Sequence, residues 1–342
     1  MKKFLINTFL FSLIFLILNQ LPAPFLGPYY GNPYYCEKYK YFTNNHDKFN
    51  TVIFGTSRLY REMVPKIFDS LLKEYQTSTF NLAAPAVSHP EAYYLYERLL
   101  ETVETNSLKY SFIELAAPHN SRFENLNTTE NHYWHNLKYL NFLIKYTFDS
   151  DLSSRRKIRL IHSYIVGYVN KAINLFGYKK LFNSKFYKMD FCLGENKDGF
   201  YSLEEQMRDF GVGSNAGRRF TSFLKDTTVL DEKISIANKA FSLKTNKQFI
   251  NEAHLIKLIE LIEKSKQKGI HLIFVMPPGM YDYHEVLAIK ERLPSNHIIE
   301  IANPKIYPEL YQVNFQFDID HLNKKGAVIF TEYLANEFKK YF

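Results

Sequence analysis

Three residues near opposite ends of the 342-residue chain are of the types that acyl-transfer chemistry uses. In "TVIFGTSRLY", residues 51–60, an apolar, β-prone run stops at Gly55 and Thr56 and then presents Ser57. In "FDIDHLNKKG", residues 317–326, Asp318 and His321 stand three apart, a spacing at which one turn can bring both side chains together. A serine becomes a useful nucleophile when a base takes its proton and a carboxylate fixes the tautomer and orientation of that base. Ser57, His321 and Asp318 supply one of each, 264 residues separating serine from histidine. Each signal has an ordinary reading as well: a serine opening a turn, and an aspartate capping a helix beside a surface histidine. Their joint placement at strand ends is what favours chemistry.

The elements that must position them alternate. Short, almost uninterrupted apolar runs at 51–55, 78–83, 110–116, 271–277 and 297–302 read as parallel strands buried on both faces. Helical patterns lie between them: "MVPKIFDSLLKEY", "PEAYYLYERLLETVE", "FINEAHLIKLIELIEKSKQKG" ending at Gly269, and a closing "GAVIFTEYLANEFKKYF". This order predicts an α/β fold, a three-layer sandwich with a mostly parallel five-stranded sheet of flavodoxin-like type. Ser57 would then follow the first strand and Asp318/His321 the last, all at the carboxyl edge. Residues from about 120 to 246 carry helical but no strand signals, so a large helical insertion is expected at that edge, bordering the nucleophile.

"FGTSR" resembles the first block of the SGNH, or GDSL-type, esterase and acyltransferase superfamily, and "DIDHLNKKG" resembles its last block. The likeness covers roughly residues 48–120 and 247–342. It implies that Ser57 attacks an ester carbonyl, His321 accepts and returns the proton, and Asp318 orients His321. "FNLAAPAVS" and "IELAAPHN" align with the middle blocks but depart from them: Ala86 stands where a glycine is expected, and Pro118 where an asparagine is. The backbone N–H groups of Ser57 and Ala86 remain as oxyanion donors, with Asn120 or His119 as the third. Arg58 reads as a structural ion-pair partner, Asp320 as solvent-facing or a helix cap. With these losses, the small residue-Ser-Arg block, the apolar N-terminus and the Asp-x-x-His-Leu-Asn ending, the chain resembles the SGNH-like proteins of bacterial polysaccharide and peptidoglycan O-acetylation. That likeness implies an acetylated envelope saccharide as substrate, water or a sugar hydroxyl as acceptor, an envelope acyltransferase as partner, and no cofactor. A catalytically degenerate SGNH-fold scaffold and a lipid-directed esterase stay open as alternatives.

Lys2 and Lys3 precede an apolar run from Phe4 to Leu18, broken only by Asn7, Thr8 and Ser12. This is the pattern of a signal peptide or, with no small-x-small cleavage site evident, of an uncleaved signal-anchor over 1–22. Lysines held in the cytoplasm place the body outside it, on the periplasmic side of an inner membrane. A Pro-, Gly- and Tyr-rich stalk, 23–47, would then lead to the SGNH-like domain, 48–342.

The net charge of +8 favours acidic partners such as envelope glycans or anionic lipid headgroups, and no nucleic-acid motif accompanies it. Its densest run, Arg155 to Arg159, reads most simply as a solvated helix face. Cys36 and Cys192 leave one disulfide or two free thiols equally open. "GVGSNAGRR", 211–219, reads as a loop whose Arg218 and Arg219 would meet either solvent or an anionic glycan. The histidine pair of "NHYWH", 131–135, lacks a third ligand at metal-site spacing, so no metal is expected.

Overall fold

A computed structural model of the chain describes residues 1–26, 29, 31–118, 128, 131–175, 177–184, 189–242, 250–279 and 283–341. It divides into two compact units, one of residues 1–36 and 121–189, the other of residues 37–120 and 190–342.

The second unit holds the sheet. Strands β1 (Thr51–Phe54), β2 (Thr79–Asn81), β3 (Tyr110–Glu114), β4 (His271–Met276) and β5 (Ile298–Glu300) pair in the order β2-β1-β3-β4-β5, every pair parallel. All five expected strands are present, each a little shorter than its apolar run. Their continuous hydrophobicity follows from cover on both faces. Phe112 packs edge-on against Phe68 and near Phe338, while Phe54, on the other side, meets Tyr96. Helices Pro65–Leu71 and Lys324–Lys339 contact one another on the first face, and helices His89–Thr102 and Glu252–Gln267 contact one another on the second. The result is the three-layer α/β sandwich.

Local signals explain where the helices begin and end. Pro65 occupies the first turn of its helix, where its missing N–H costs nothing. Gly269 ends the 252–267 helix with φ +76°, a left-handed conformation that glycine adopts without penalty. Asn323 caps the closing helix by accepting from the Gly326 N–H at 2.9 Å.

Two expectations change. The helical insertion is not one body. Residues 121–189 belong to the first unit, whereas residues 190–242 are built into the sheet unit. There the Asp198 carbonyl accepts from the Asn81 N–H at 2.8 Å, extending the β2 edge. The stretch read as a stalk contains a helix, Pro33–Asn44, and the sheet unit begins within it at Glu37. Lys38 of this helix is fully buried and donates to the Ala83 carbonyl at 2.6 Å.

In the first unit, helix Lys2–Gln20 is long and apolar enough to cross a membrane, and none of its residues is buried. Helices Leu137–Asp149, Ser154–Ala172 and Gly177–Ser184 complete this unit among the described residues. Its histidines His132 and His135 are buried, and the His135 ring lies against Trp134, 3.9 Å between centroids. Burial depresses the His135 imidazole to about 3, so it stays neutral. No cluster of three or more metal-ligating side chains occurs among the described residues.

Candidate active site

The strand order reverses between β1 and β3, and crevices at such switch points, outside the carboxyl ends of the strands, are where open α/β sheets place ligands. Ser57 stands there. The chain leaves β1 through Gly55 and Thr56 and turns at once into a short helix, Ser57–Glu62, with Ser57 as its first residue. The turn is clamped by Glu114, the last residue of β3: its carboxylate accepts from the Thr56 N–H at 2.8 Å and from Thr56 Oγ1 at 2.8 Å. Glu114 is fully buried, and Arg58 Nη1 offsets its charge at 3.5 Å. Glycine at 55 is a packing requirement, since a Cβ there would meet Glu114 Cβ and Oε2 at 2.8 Å.

Asp318 and His321 arrive differently from the expected single helical turn. They are facing partners in a two-stranded antiparallel hairpin, β6 (Gln316–Asp318) with β7 (His321–Leu322). Asp318 Oδ1 accepts from the Asp320 N–H at 2.8 Å, which closes the turn, and lies 2.9 Å from His321 Nδ1. His321 Nε2 lies 2.8 Å from Ser57 Oγ. One tautomer satisfies both ends: Nδ1–H donates to Asp318, and Nε2 accepts from the serine hydroxyl. His321 and Asp318 are buried, whereas Ser57 is only half-buried.

Electrostatics suit proton transfer. Burial lowers the basicity of His321 below the ordinary histidine value; the hydrogen bond and charge of Asp318 oppose this, and the Arg219 cation adds to it. The imidazole is therefore neutral at pH 7 and able to act as a base. For Asp318, burial alone would raise the carboxyl, but the His321 hydrogen bond and charge, with Arg219, outweigh it and hold the group below its usual range.

Arg219 is one of three participants that sequence reasoning missed. "GVGSNAGRR" is only half a loop: Ser214 caps a helix, Asn215–Lys225, by accepting from the Gly217 N–H at 3.2 Å. This helix packs on β6 through Phe220 and Phe317, 5.1 Å between ring centroids. Arg219 Nη2 thereby reaches Asp318 Oδ2 at 3.0 Å and His321 Nδ1 at 2.9 Å. With Nδ1 already protonated toward Asp318, the guanidinium is a charge neighbour of the ring and a hydrogen-bond donor only to the carboxylate. Lys233 is the second. Almost fully buried, it pairs with Asp320 Oδ1 at 2.7 Å and donates to the Ile319 carbonyl at 2.6 Å. Asp320 is thus neither solvent-facing nor a cap. Glu114 is the third, and its signal was a glutamate closing an otherwise apolar strand run.

The oxyanion donors divide. Ala86 has φ +61°, the left-handed conformation a glycine would supply at that place, and it is exposed in a turn. No acceptor for the N–H of Ser57 or of Ala86 occurs among the described residues. Asn120 and His119 lie outside the described residues, and Pro118 has no N–H to offer. Arg58 is the ion-pair partner expected, also donating to the Gly279 carbonyl at 3.1 Å.

Exposure separates this constellation from a second carboxylate–histidine–hydroxyl chain in the same unit. Glu285 Oε1 lies 2.6 Å from His254 Nδ1, and His254 Nε2 lies 2.9 Å from the Tyr93 hydroxyl. Tyr93 is fully buried, and burial pushes its phenol well above the usual value, so that chain acts as internal packing. Cys36 and Cys192 are not joined in a disulfide, and burial pushes the Cys192 thiol up to about 12.

No protein-family model matches the chain, and no curated protein matches it in sequence.

Proposed function

We propose that this chain is a membrane-anchored serine ester hydrolase or O-acyltransferase in which Ser57, His321 and Asp318 act as a triad. One observation carries the reading: a continuous path from Asp318 through His321 to a half-buried serine, with contacts of 2.9 and 2.8 Å. Ser57 Oγ attacks the ester carbonyl as its proton passes to His321 Nε2, and Asp318 holds the resulting imidazolium. The tetrahedral oxyanion takes the N–H groups of Ser57 and Ala86, with Asn120 as the third donor. His321 then protonates the departing alkoxide. Water or a sugar hydroxyl then gives its proton to His321 as its oxygen bonds to the acyl carbon, the bond to Ser57 Oγ breaks, and His321 returns the proton to Ser57. No cofactor is needed for either half.

An acylated envelope saccharide, acetyl being the simplest acyl group, fits the SGNH resemblance and an anchored body outside the cytoplasm. The proline in place of the third-block asparagine favours a second reading, a non-catalytic scaffold on the same fold that serves an envelope acyltransferase. A fluorophosphonate probe applied to the detergent-solubilised full chain decides between them. Labelling that is lost in Ser57→Ala is the expected result. An unlabelled wild type that also fails to turn over acetylated sugars would establish the scaffold.

A further inference from the structure

Helix Ser154–Ala172 buries one face and leaves an apolar stripe on its exposed side. Its inward face is made of Leu160, Ser163, Tyr164 and Gly167. At about 100° per residue, Ile158, His162, Ile165 and Val169 form one outward stripe. Ile158 is 69% exposed, Ile165 44% and Val169 45%. Arg155 and Arg159 flank the stripe and are exposed. The next helix, Gly177–Ser184, adds Phe182, 64% exposed, beside Lys179.

The charge of the chain is concentrated here. Between Asp151 and Asp190 lie nine lysines and arginines and no carboxylate, against a whole-chain net of +8. The remainder of the molecule is therefore slightly acidic. Three hydrogen bonds tie the same segment to the end of the apolar N-terminal helix: Gln20 Nε2 to the Ala172 carbonyl at 2.9 Å, Asn174 Nδ2 to the Asn19 carbonyl at 2.7 Å, and the Tyr178 hydroxyl to the Leu18 carbonyl at 2.9 Å.

We infer that the outward face of helices 154–172 and 177–184 lies on the anionic lipid surface from which the N-terminal helix emerges. Outward isoleucine and valine flanked by arginine are what an interfacial helix presents to the acyl–headgroup boundary. The bonds to Leu18, Asn19 and Gln20 hold that face next to the end of the span, so a bilayer is the surface in reach. Tyr178 sits where aromatic residues gather at membrane interfaces. The inference rests on Lys2–Gln20 entering a membrane and is independent of the chemistry at Ser57.

The native chain has a single tryptophan, Trp134, which is buried and serves as an internal reference. Full-length Ile165→Trp is placed in nanodiscs of neutral phosphatidylcholine, or of phosphatidylcholine with phosphatidylglycerol, each with brominated acyl chains. Stronger quenching of Ile165→Trp than of wild type in the anionic discs is expected. Each basic residue near an anionic surface contributes about a fivefold gain in partitioning. Adding Arg155→Glu and Arg159→Glu should therefore remove most of the quenching. Entry into discs with Ile165→Trp unquenched would overturn this inference alone, and failure to enter would overturn the span together with it. Equal quenching in neutral discs would overturn the assignment to anionic lipid. A lipid-independent, concentration-dependent emission shift would assign the face to a second copy of the chain instead.

Discussion

Asp318 and Asp320, two residues apart, are held by different partners, and substituting each should damage a different property. Asp318→Asn keeps the shape of a buried side chain but removes the acceptor that fixes the His321 tautomer. Its Oδ1 is 2.9 Å from Nδ1, and its Oδ2 is 3.0 Å from Arg219. An asparagine amide can turn its NH2 toward the ring, leaving Nε2 protonated and unable to accept from Ser57. The equivalent change in serine proteases lowers kcat by about 10⁴-fold, and the same order is expected here. The lost charge-assisted hydrogen bond costs the fold about 1.5–3 kcal/mol. Asp320→Asn leaves the tautomer alone and strips Lys233, 5% exposed, of its counter-ion. Breaking a buried pair costs about 3–5 kcal/mol. Asp320 is itself 18% exposed and Lys233 keeps the Ile319 and Gly279 carbonyls, so roughly 1–3 kcal/mol is expected here. At about 2–4 °C per kcal/mol for a domain near this size, the melting temperature should fall by roughly 2–12 °C. Probe labelling rate and thermal unfolding, measured on the same preparations, separate the two effects. Equal modest losses of labelling from both variants, or the larger loss from Asp320→Asn, would refute the triad wiring.

Ala86 pays about 1 kcal/mol for its left-handed backbone, so Ala86→Gly should raise the melting temperature slightly and leave labelling unchanged or faster; a lower melting temperature would contradict the strain assigned to this turn. Arg219→Met removes a cation 2.9 Å from His321 Nδ1, which disfavours the imidazolium. Two unit charges 4 Å apart interact by about 4 kcal/mol at an effective dielectric of 20. Arg219 is 36% exposed and shared with Asp318 and Asp320, so solvent screens part of this, and the His321 imidazole should become more basic once the cation is gone. The base form exists above its pKa, so the acid limb of the labelling profile should move to higher pH while the alkaline plateau stays; a downward shift would contradict the electrostatic role given to Arg219.

Five strands, the major sheet-covering helices and the residues Ser57, Asp318 and His321 were legible in the sequence, because each is encoded locally. A strand covered on both faces must be apolar throughout, as Val52, Ile53 and Phe54 are. A parallel sheet then brings the ends of its strands to one edge however far apart they lie in the chain. The apolar N-terminal helix is equally local, a matter of length and composition. What only the tertiary structure decided are the partners that hold these groups in place. Glu114 clamps Thr56 from 58 residues away, Arg219 reaches Asp318 across 99 positions, and Lys233 finds Asp320 across 87. The meeting of Asp318 with His321 was visible in their spacing, but its geometry was not, since an i to i+3 pair fits a helical turn and a tight hairpin alike. The split of the insertion was hidden for the same reason. Helical periodicity shows which face of a helix is buried, not which body buries it, because the free energy of that choice lies in contacts between residues distant in sequence.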